Sequence, residues 1–136
     1  MPSFEQQITN NRIIIAVRVS RQGEDVPYRR ALVDTGATIT AISPNVVSEL
    51  GLSPIGLAST TVASGQQVDT YQYYSRVDIP IGHYIDQAPP TDFLMGRQLT
   101  VVGLPYQPND YDVILGMDII GMFHITMYRN KIIISN

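Results

Sequence analysis

The chain of 136 residues contains no cysteine. Disulfide bonds, thiolate nucleophiles and cysteine-ligated zinc sites are therefore excluded. Charged residues are also scarce, at 15% of the chain, and the formal net charge is −3. This composition offers no basic surface that could neutralise phosphates, so we expect no nucleic-acid partner. The single adjacent basic pair, Arg29 and Arg30, is interpreted as two solvated strand residues.

Long apolar segments are missing as well. The longest apolar run, residues 113–127, contains Asp118 and His124 and is too short to span a bilayer. No basic-then-apolar signal peptide opens the sequence. We therefore expect a soluble segment without membrane contact of its own, which could still be a piece of a larger or membrane-anchored protein. The compartment stays open, with the cytoplasm favoured.

Hydrophobic residues make up 44% of the chain, which is typical of a globular protein. At this length we expect one domain over residues 1–136, in which residues 1–11 could form a flexible N-terminal arm. Runs of β-branched residues predict a mostly β fold. The predicted strands cover residues 12–20, 26–33, 38–42, 57–62, 67–81, 92–103 and 111–116, followed by a closing hairpin at 123–135 with its turn near Arg129 and Asn130. Residues 82–91 are predicted to be a loop, and residues 104–110 a Pro-rich turn.

One short helix has clear end signals. Ser43 is a good N-cap, Pro44 fits the first helical position, and Gly51 stands where a helix would end. Residues 117–121 predict a single helical turn at most. The strands at 57–62 and 67–81 predict a long hairpin with Ser64 and Gly65 at its tip.

The motif Asp34-Thr35-Gly36 ends an apolar strand. Gly36 permits a sharp turn and close backbone approach, and the Thr35 hydroxyl can donate a lateral hydrogen bond. The alternative interpretation is a β-turn in which Asp34 caps its own backbone. A lone motif of three residues cannot decide between these interpretations.

Residues 112–120, with the sequence DVILGMDII, supply a second motif: an apolar strand, a glycine and an acidic helical turn. With the glycine-tipped hairpin between the two motifs, the chain resembles the retropepsin-like aspartic proteases, single-domain relatives of pepsin. The resemblance runs from near Arg12 to near Ser135 and is sharpest in ALVDTGAT, residues 31–38. It implies a small closed β-barrel with one or two short helices, and aspartic endopeptidase activity.

The resemblance also implies three groups of site residues. The catalytic carboxylate is Asp34, in a loop supported by Thr35, Gly36 and Ala37. A flap over the substrate comprises Val62, Ala63, Ser64 and Gly65. Support from the second motif comprises Ile114, Leu115, Gly116 and Asp118, and Asp118 is interpreted as a local cap.

One departure from the retroviral members concerns Thr38 and Met117. At these positions retroviral enzymes carry an acidic residue and an arginine that pair with each other. Because both charged residues are absent, no charge is left without its ion-pair partner. The chain therefore resembles a cellular or bacterial branch. Arg97 could mimic the missing arginine but is interpreted as solvated.

Peptide hydrolysis by this chemistry needs two carboxylates that share one proton, for which aspartic proteases are a standard example. The other acidic residues that follow apolar ones, Asp78, Asp112 and Asp118, lack the Thr-Gly that shapes such a turn. We therefore expect a symmetric homodimer that pairs two copies of Asp34. The terminal apolar runs, residues 12–17 and 131–135, could be interface strands or barrel interior.

Two functions remain in view. The first is an endopeptidase that acts on extended, hydrophobic segments of a peptide or protein substrate. The alternative is a non-catalytic module of the same fold that binds peptides or dimerises. No cofactor or metal is expected, because His83 and His124 have no ligand-spaced carboxylates beside them.

Overall fold

The computed structural model describes residues 3–81 and 93–136. The predicted loop at residues 82–91 lies outside these residues. The described part contains ten strands and two short helices: β1 Ser3–Gln7, β2 Ile14–Ser20, β3 Arg29–Val33, β4 Ala41–Ile42, α1 Pro44–Leu50, β5 Gly56–Thr61, β6 Gln67–Pro80, β7 Phe93–Gly103, β8 Val113–Leu115, α2 Met117–Ile120, β9 His124–Tyr128 and β10 Lys131–Ser135. The prediction of a mostly β fold is confirmed.

Six of the strands close into a barrel. They follow the order β2-β3-β8-β4-β7-β6, and β6 pairs back to β2. Closure removes the free edges that an open sheet would expose. The core inside is built from β-branched and leucine side chains that alternate along the strands, including Val17, Val77 and Leu115. The predicted hairpin of residues 12–20 and 26–33 is confirmed as the antiparallel pair β2–β3.

The terminal segments form a separate three-stranded sheet with the order β1-β10-β9. The turn between β9 and β10 lies where it was predicted, because Arg129 and Asn130 adopt left-handed φ angles of 47° and 59°. Ile132 and Ile134 are buried against the barrel, whereas Ile133 is 37% exposed on the other face. Within one protomer, the apolar run at 131–135 therefore contributes mainly to the interior.

Strand β1 was not predicted from its sequence. SFEQQ has no apolar alternation, and these residues become a strand by pairing antiparallel with β10, from Ser3 opposite Ser135 to Gln7 opposite Lys131. As a result, β10 has a neighbour on each edge within its own chain.

Helix α1 begins and ends at the predicted residues. The Ser43 hydroxyl accepts a hydrogen bond from the Val46 amide, Pro44 starts the helix, and Gly51 ends it with a left-handed φ of 62°. The predicted strand at 38–42 is shorter than expected, because only Ala41 and Ile42 form β4. The residues before β4 are held by contacts to α2 instead.

The long hairpin is also confirmed. Strands β5 and β6 pair from Gly56 opposite Gln72 to Thr61 opposite Gln67, and Gly65 at the tip has a φ of 84°. The inward-facing side of β6 changes along its length. Val68 is half-buried in the hairpin arm, whereas Tyr73 and Val77, on the opposite face, are buried where β6 joins the barrel.

Candidate active site

Asp34 lies directly after β3, where two parallel strands end side by side. Strand β3 pairs with β8, with Val33 opposite Leu115. The Asp34 amide extends this ladder by donating to the Leu115 carbonyl at 3.0 Å. The backbone position of Asp34 is therefore set by the barrel rather than by its own loop.

The side chain of Asp34 is held by a local turn. Its Oδ1 accepts a hydrogen bond from the Gly36 amide at 2.9 Å, and its carbonyl accepts one from the Ala37 amide at 3.1 Å. A Cβ added at Gly36 would lie 3.2 Å from Oδ1, which is tight. Capping of its own backbone, offered above as the alternative interpretation of Asp34, is thus present. It orients the carboxylate and leaves it half-buried at the surface of a groove.

Gly116 backs this loop at very close range. A Cβ at this position would lie 2.7 Å from the carbonyl carbon of Ile39 and 2.9 Å from its oxygen. The Gly116 amide also donates to the Thr40 hydroxyl at 3.1 Å. Only glycine allows the chain to approach so closely.

The interpretation of Asp118 as a local cap is wrong. Its carboxylate accepts two hydrogen bonds from Thr40, one from the amide at 3.0 Å and one from the hydroxyl at 2.7 Å. In addition, the Met117 amide donates to the Ala37 carbonyl at 2.8 Å. Helix α2 therefore fixes the segment that follows the Asp34 turn. These partners are far apart in sequence, so no local pattern could reveal them.

A groove of about 770 Å³ brings the first motif and the hairpin tip together. Seven of the twelve candidate site residues line it: Asp34, Gly36, Ala37, Val62, Ala63, Ser64 and Ile114. The other five do not. Thr35 and Gly65 are exposed outside it, and Leu115, Gly116 and Asp118 support it from behind.

The sequence did not indicate the rest of the groove lining. The missed residues are Thr38, Ile39, Ala41, Ser59, Thr60, Thr61, Val102, Leu104, Pro105 and Tyr106. The Pro-rich segment after β7 was read only as a turn, yet it contributes Leu104, Pro105 and Tyr106 to one wall. The signal available in the sequence was an aromatic residue between two prolines, Pro105 and Pro108.

Among the described residues that line the groove, Asp34 carries the only ionisable carboxyl group. The other acidic candidates are engaged elsewhere. Asp78 is buried and accepts from Arg18 at 3.0 Å, and Asp112 accepts from the Ser43 hydroxyl at 2.8 Å. Within residues 3–81 and 93–136 we find neither a group of three His, Asp or Glu side chains placed to hold a metal ion nor a helix long and apolar enough to cross a membrane.

Comparison with known proteins gives the family. A family model described as aspartyl protease matches residues 16–119, which is more than half of the chain. The chain belongs to the aspartyl protease family. It is therefore an aspartic-type endopeptidase by family, and the resemblance inferred from the two glycine motifs is confirmed.

Solved structures agree on the fold. This aspartyl protease is similar to a retropepsin-like aspartic protease from Rickettsia conorii, with a TM-score of 0.60 and 15% sequence identity over 97% of this chain and 87% of the other. At that identity the likeness concerns the fold. A comparison with curated protein sequences found no match.

Proposed function

We propose that this aspartyl protease acts as a symmetric homodimer in which one Asp34 from each protomer activates water to hydrolyse peptide bonds. The observation that carries the proposal is the groove lining: the groove lies between the Asp34 turn and the hairpin tip, and Asp34 is its only carboxyl group among the described residues. A single carboxylate cannot both accept a proton from water and donate one to the leaving nitrogen. A second copy supplies the missing group.

Two carboxylates a few ångströms apart cannot both ionise easily, so they share a proton. The ionised partner takes a proton from water, and the protonated partner donates to the substrate. The hydrogen bond from the Gly36 amide to Asp34 Oδ1 at 2.9 Å favours this arrangement, because it fixes one oxygen and orients the other. Gly36 and the second-motif glycine, Gly116, are thus assigned to loop support.

The Asp34 turn carries an exposed residue that a second protomer can contact. Thr35 is exposed, although it adjoins a half-buried carboxylate. In the homodimer its hydroxyl would brace the opposing turn, a loop-supporting role across the dimer. The Ala37 carbonyl accepts a hydrogen bond from the Met117 amide, which keeps the turn attached to the barrel. Thr35 projects from this turn.

The hairpin tip, Val62 to Gly65, is assigned as the flap. Strands β5 and β6 extend from the barrel, and their tip shares the groove with Asp34. An extended peptide in this groove can pair its backbone with the flap as an added strand would. The lining is largely apolar, with Ile39, Val102 and Ile114 among its members. We therefore assign extended, hydrophobic segments as substrates.

The test compares the parent protein with Asp34→Asn. This substitution keeps the size of the side chain and removes its titrating group. Both proteins are incubated with a diverse peptide mixture between acidic and neutral pH, products are read by mass spectrometry, and the mass in solution is measured in parallel. We expect a dimer, cleavage by the parent only, and a loss of at least about 10²-fold in the variant. A dimeric parent that cleaves nothing would instead favour the non-catalytic module.

A further inference from the structure

A second cavity, of about 310 Å³, lies outside the Asp34 groove and shares no lining residue with it. It is named here the distal cavity. Its walls come from the chain after β2, the connection between α1 and β5, and strands β6 and β7; the lining residues include Arg21, Leu52, Ser53, Ile55, Tyr74 and Gln98. A volume at the lower end of the range of ligand sites, about 300–1,000 Å³, suits a short peptide segment.

Hydrogen bonds hold two walls of the distal cavity in place. The Gln98 side-chain amide, on β7, donates to the Arg21 carbonyl at 2.7 Å. On the other side, the Ile55 amide donates to the Gln72 carbonyl at 2.8 Å, where the long hairpin leaves the barrel. A bound segment therefore meets walls that are already ordered, which lowers the entropic cost of binding.

Arg21 gives the distal cavity a positive charge that has no ion-pair partner among the described residues. The described lining contains no Asp or Glu side chain. The carboxylate of Glu24, three residues further on, accepts from the Gln22 amide at 2.8 Å and does not line the cavity. Because an exposed guanidinium can donate two parallel hydrogen bonds to a carboxylate, Arg21 suits an acidic side chain.

The opposite side of the distal cavity is apolar. Ile55 is 58% exposed, Tyr74 is also exposed, and Leu52 is half-buried beside them. These surfaces suit an apolar side chain next to the acidic one. The Ser53 hydroxyl and the Gln98 amide supply polar groups for the backbone of the same segment.

Strand β5 joins the distal cavity to the groove. Its exposed residues alternate, and they are Leu57, Ser59 and Thr61, of which the last two line the groove. Leu57 is 75% exposed, and Tyr71, opposite it on β6, is 49% exposed. At about 3.3 Å per residue, Ile55 and Ser59 are about 13 Å apart along the chain. Four extended residues of a bound peptide cover this distance.

The path along β5 is open in the described part of the chain. Strand β5 is the last strand of the seven-stranded sheet and pairs only with β6. Its other edge is therefore available to an extended peptide that runs beside it. One peptide can occupy the distal cavity and the groove at the same time.

We propose that the distal cavity is an exosite, a substrate-binding site away from the scissile bond, for an acidic residue beside an apolar one in the protein substrate. These residues lie at least four positions from the segment in the groove. The inference rests on the proposed function, because the exosite adds binding to a substrate that the groove already holds. The net charge of the chain is −3, so the preference for an acidic segment depends on Arg21 and not on the overall charge.

A binding measurement tests the distal cavity without cleavage. Labelled Asp34→Asn is titrated with acetyl-Leu-Glu-Leu-amide and with the matched probe acetyl-Leu-Gln-Leu-amide, and amide chemical shifts are followed by NMR. We expect the largest shifts at Arg21, Ile55 and Gln98, and about two- to fivefold tighter binding of the Glu probe, the range for an exposed ion pair.

Charge variants are then compared in the same Asp34→Asn protein. Arg21→Gln should abolish the difference between the two probes, and Arg21→Glu should reverse it in favour of acetyl-Leu-Lys-Leu-amide. Both substitutions keep the Arg21 carbonyl that holds Gln98. Arg129→Glu changes an exposed arginine of the β9–β10 turn, so it controls for net charge and should leave the preference for the Glu probe in place.

Cleavage tests whether the distal cavity serves the substrate. The best peptide substrate of the parent is extended at either end by Leu-Glu-Leu, after a flexible spacer of six residues or of one. The long spacer should lower KM about twofold or more with kcat unchanged, because a substrate held at two places dissociates less readily. The short spacer cannot reach the cavity and should have no effect. The gain should disappear in Arg21→Gln.

The two measurements separate this inference from the proposed function. A parent that cleaves nothing would overturn the proposed function alone, because the shifts at the distal cavity are measured without cleavage. Shifts confined to groove residues such as Gly36 and Ala37 would overturn the inference. A KM that is the same with and without the long extension would overturn it as well.

Discussion

The Thr40 hydroxyl donates to the Asp118 carboxylate at 2.7 Å and accepts from the Gly116 amide at 3.1 Å. Thr40 is fully buried, so its hydroxyl depends on these two partners for its hydrogen bonds. The contact joins the end of the Asp34 segment to helix α2 across 78 residues of sequence. It explains how two short motifs far apart in the chain form one rigid unit.

Removing this acceptor should destabilise the protein. Asp118→Ala leaves two buried donors of Thr40, the amide and the hydroxyl proton, without their acceptor, which costs about 1–3 kcal/mol per unsatisfied group. We expect a lower urea midpoint with an unchanged slope. Asp118→Asn, which retains an acceptor oxygen, should lose less. Asp69→Ala, at an exposed position, is the control and should be close to neutral.

Gly116→Ala should destabilise the folded protein for a steric reason. The new Cβ meets the Ile39 backbone at 2.7 Å, and backbone cannot yield as a side chain can. We expect a loss of about 1–3 kcal/mol in unfolding free energy. Gly56→Ala is the matched control, because there the Cβ meets only the flexible end of the Gln72 side chain at 3.0 Å. Equal stability of the two variants, measured in urea, would contradict this account.

Mixed dimers should be inactive if two Asp34 carboxylates form one site. Adding a threefold excess of Asp34→Asn to a fixed amount of parent should lower its activity to about one quarter after complete exchange, since subunits combine at random in a symmetric dimer. The same mass of an inert protein serves as the control. Unchanged activity, with exchange verified by labelled subunits, would rule out a shared site.

Stability should fall at alkaline pH. Burial chiefly, with the neighbouring Tyr71 as a second cause, raises the pKa of Tyr73 above its ordinary value of 10.0. The folded state then holds its proton where the unfolded chain releases it, so this stabilising contribution is present below pH 10 and is lost as pH rises through the folded pKa. Tyr73→Phe should lose less stability between pH 9 and pH 11 than the parent does. Tyr74→Phe, at an exposed residue, should behave like the parent.

Local chemistry made much of the fold predictable. Ser43, Pro44 and Gly51 fix a helix through capping and dihedral preference, and these effects act within a few residues. Gly65 likewise marks the hairpin tip. Because each signal is complete within its own segment, these elements lie where the sequence places them. The same holds for the motif at Asp34, whose turn is closed by its own side chain.

Other features exist only because distant segments meet. Strand β1 has no strand pattern and forms by pairing with β10, which lies at the other end of the chain. Asp118 accepts hydrogen bonds from Thr40 rather than capping its own helix. Tyr106 stands in a segment read as a turn, and only closure of the barrel brings it to the groove. The sequence by itself determined the two short helices, most of the strands and the family, because these follow from local patterns. The tertiary structure decided the groove wall and the support of the site, because long-range hydrogen bonds leave no periodic trace in sequence.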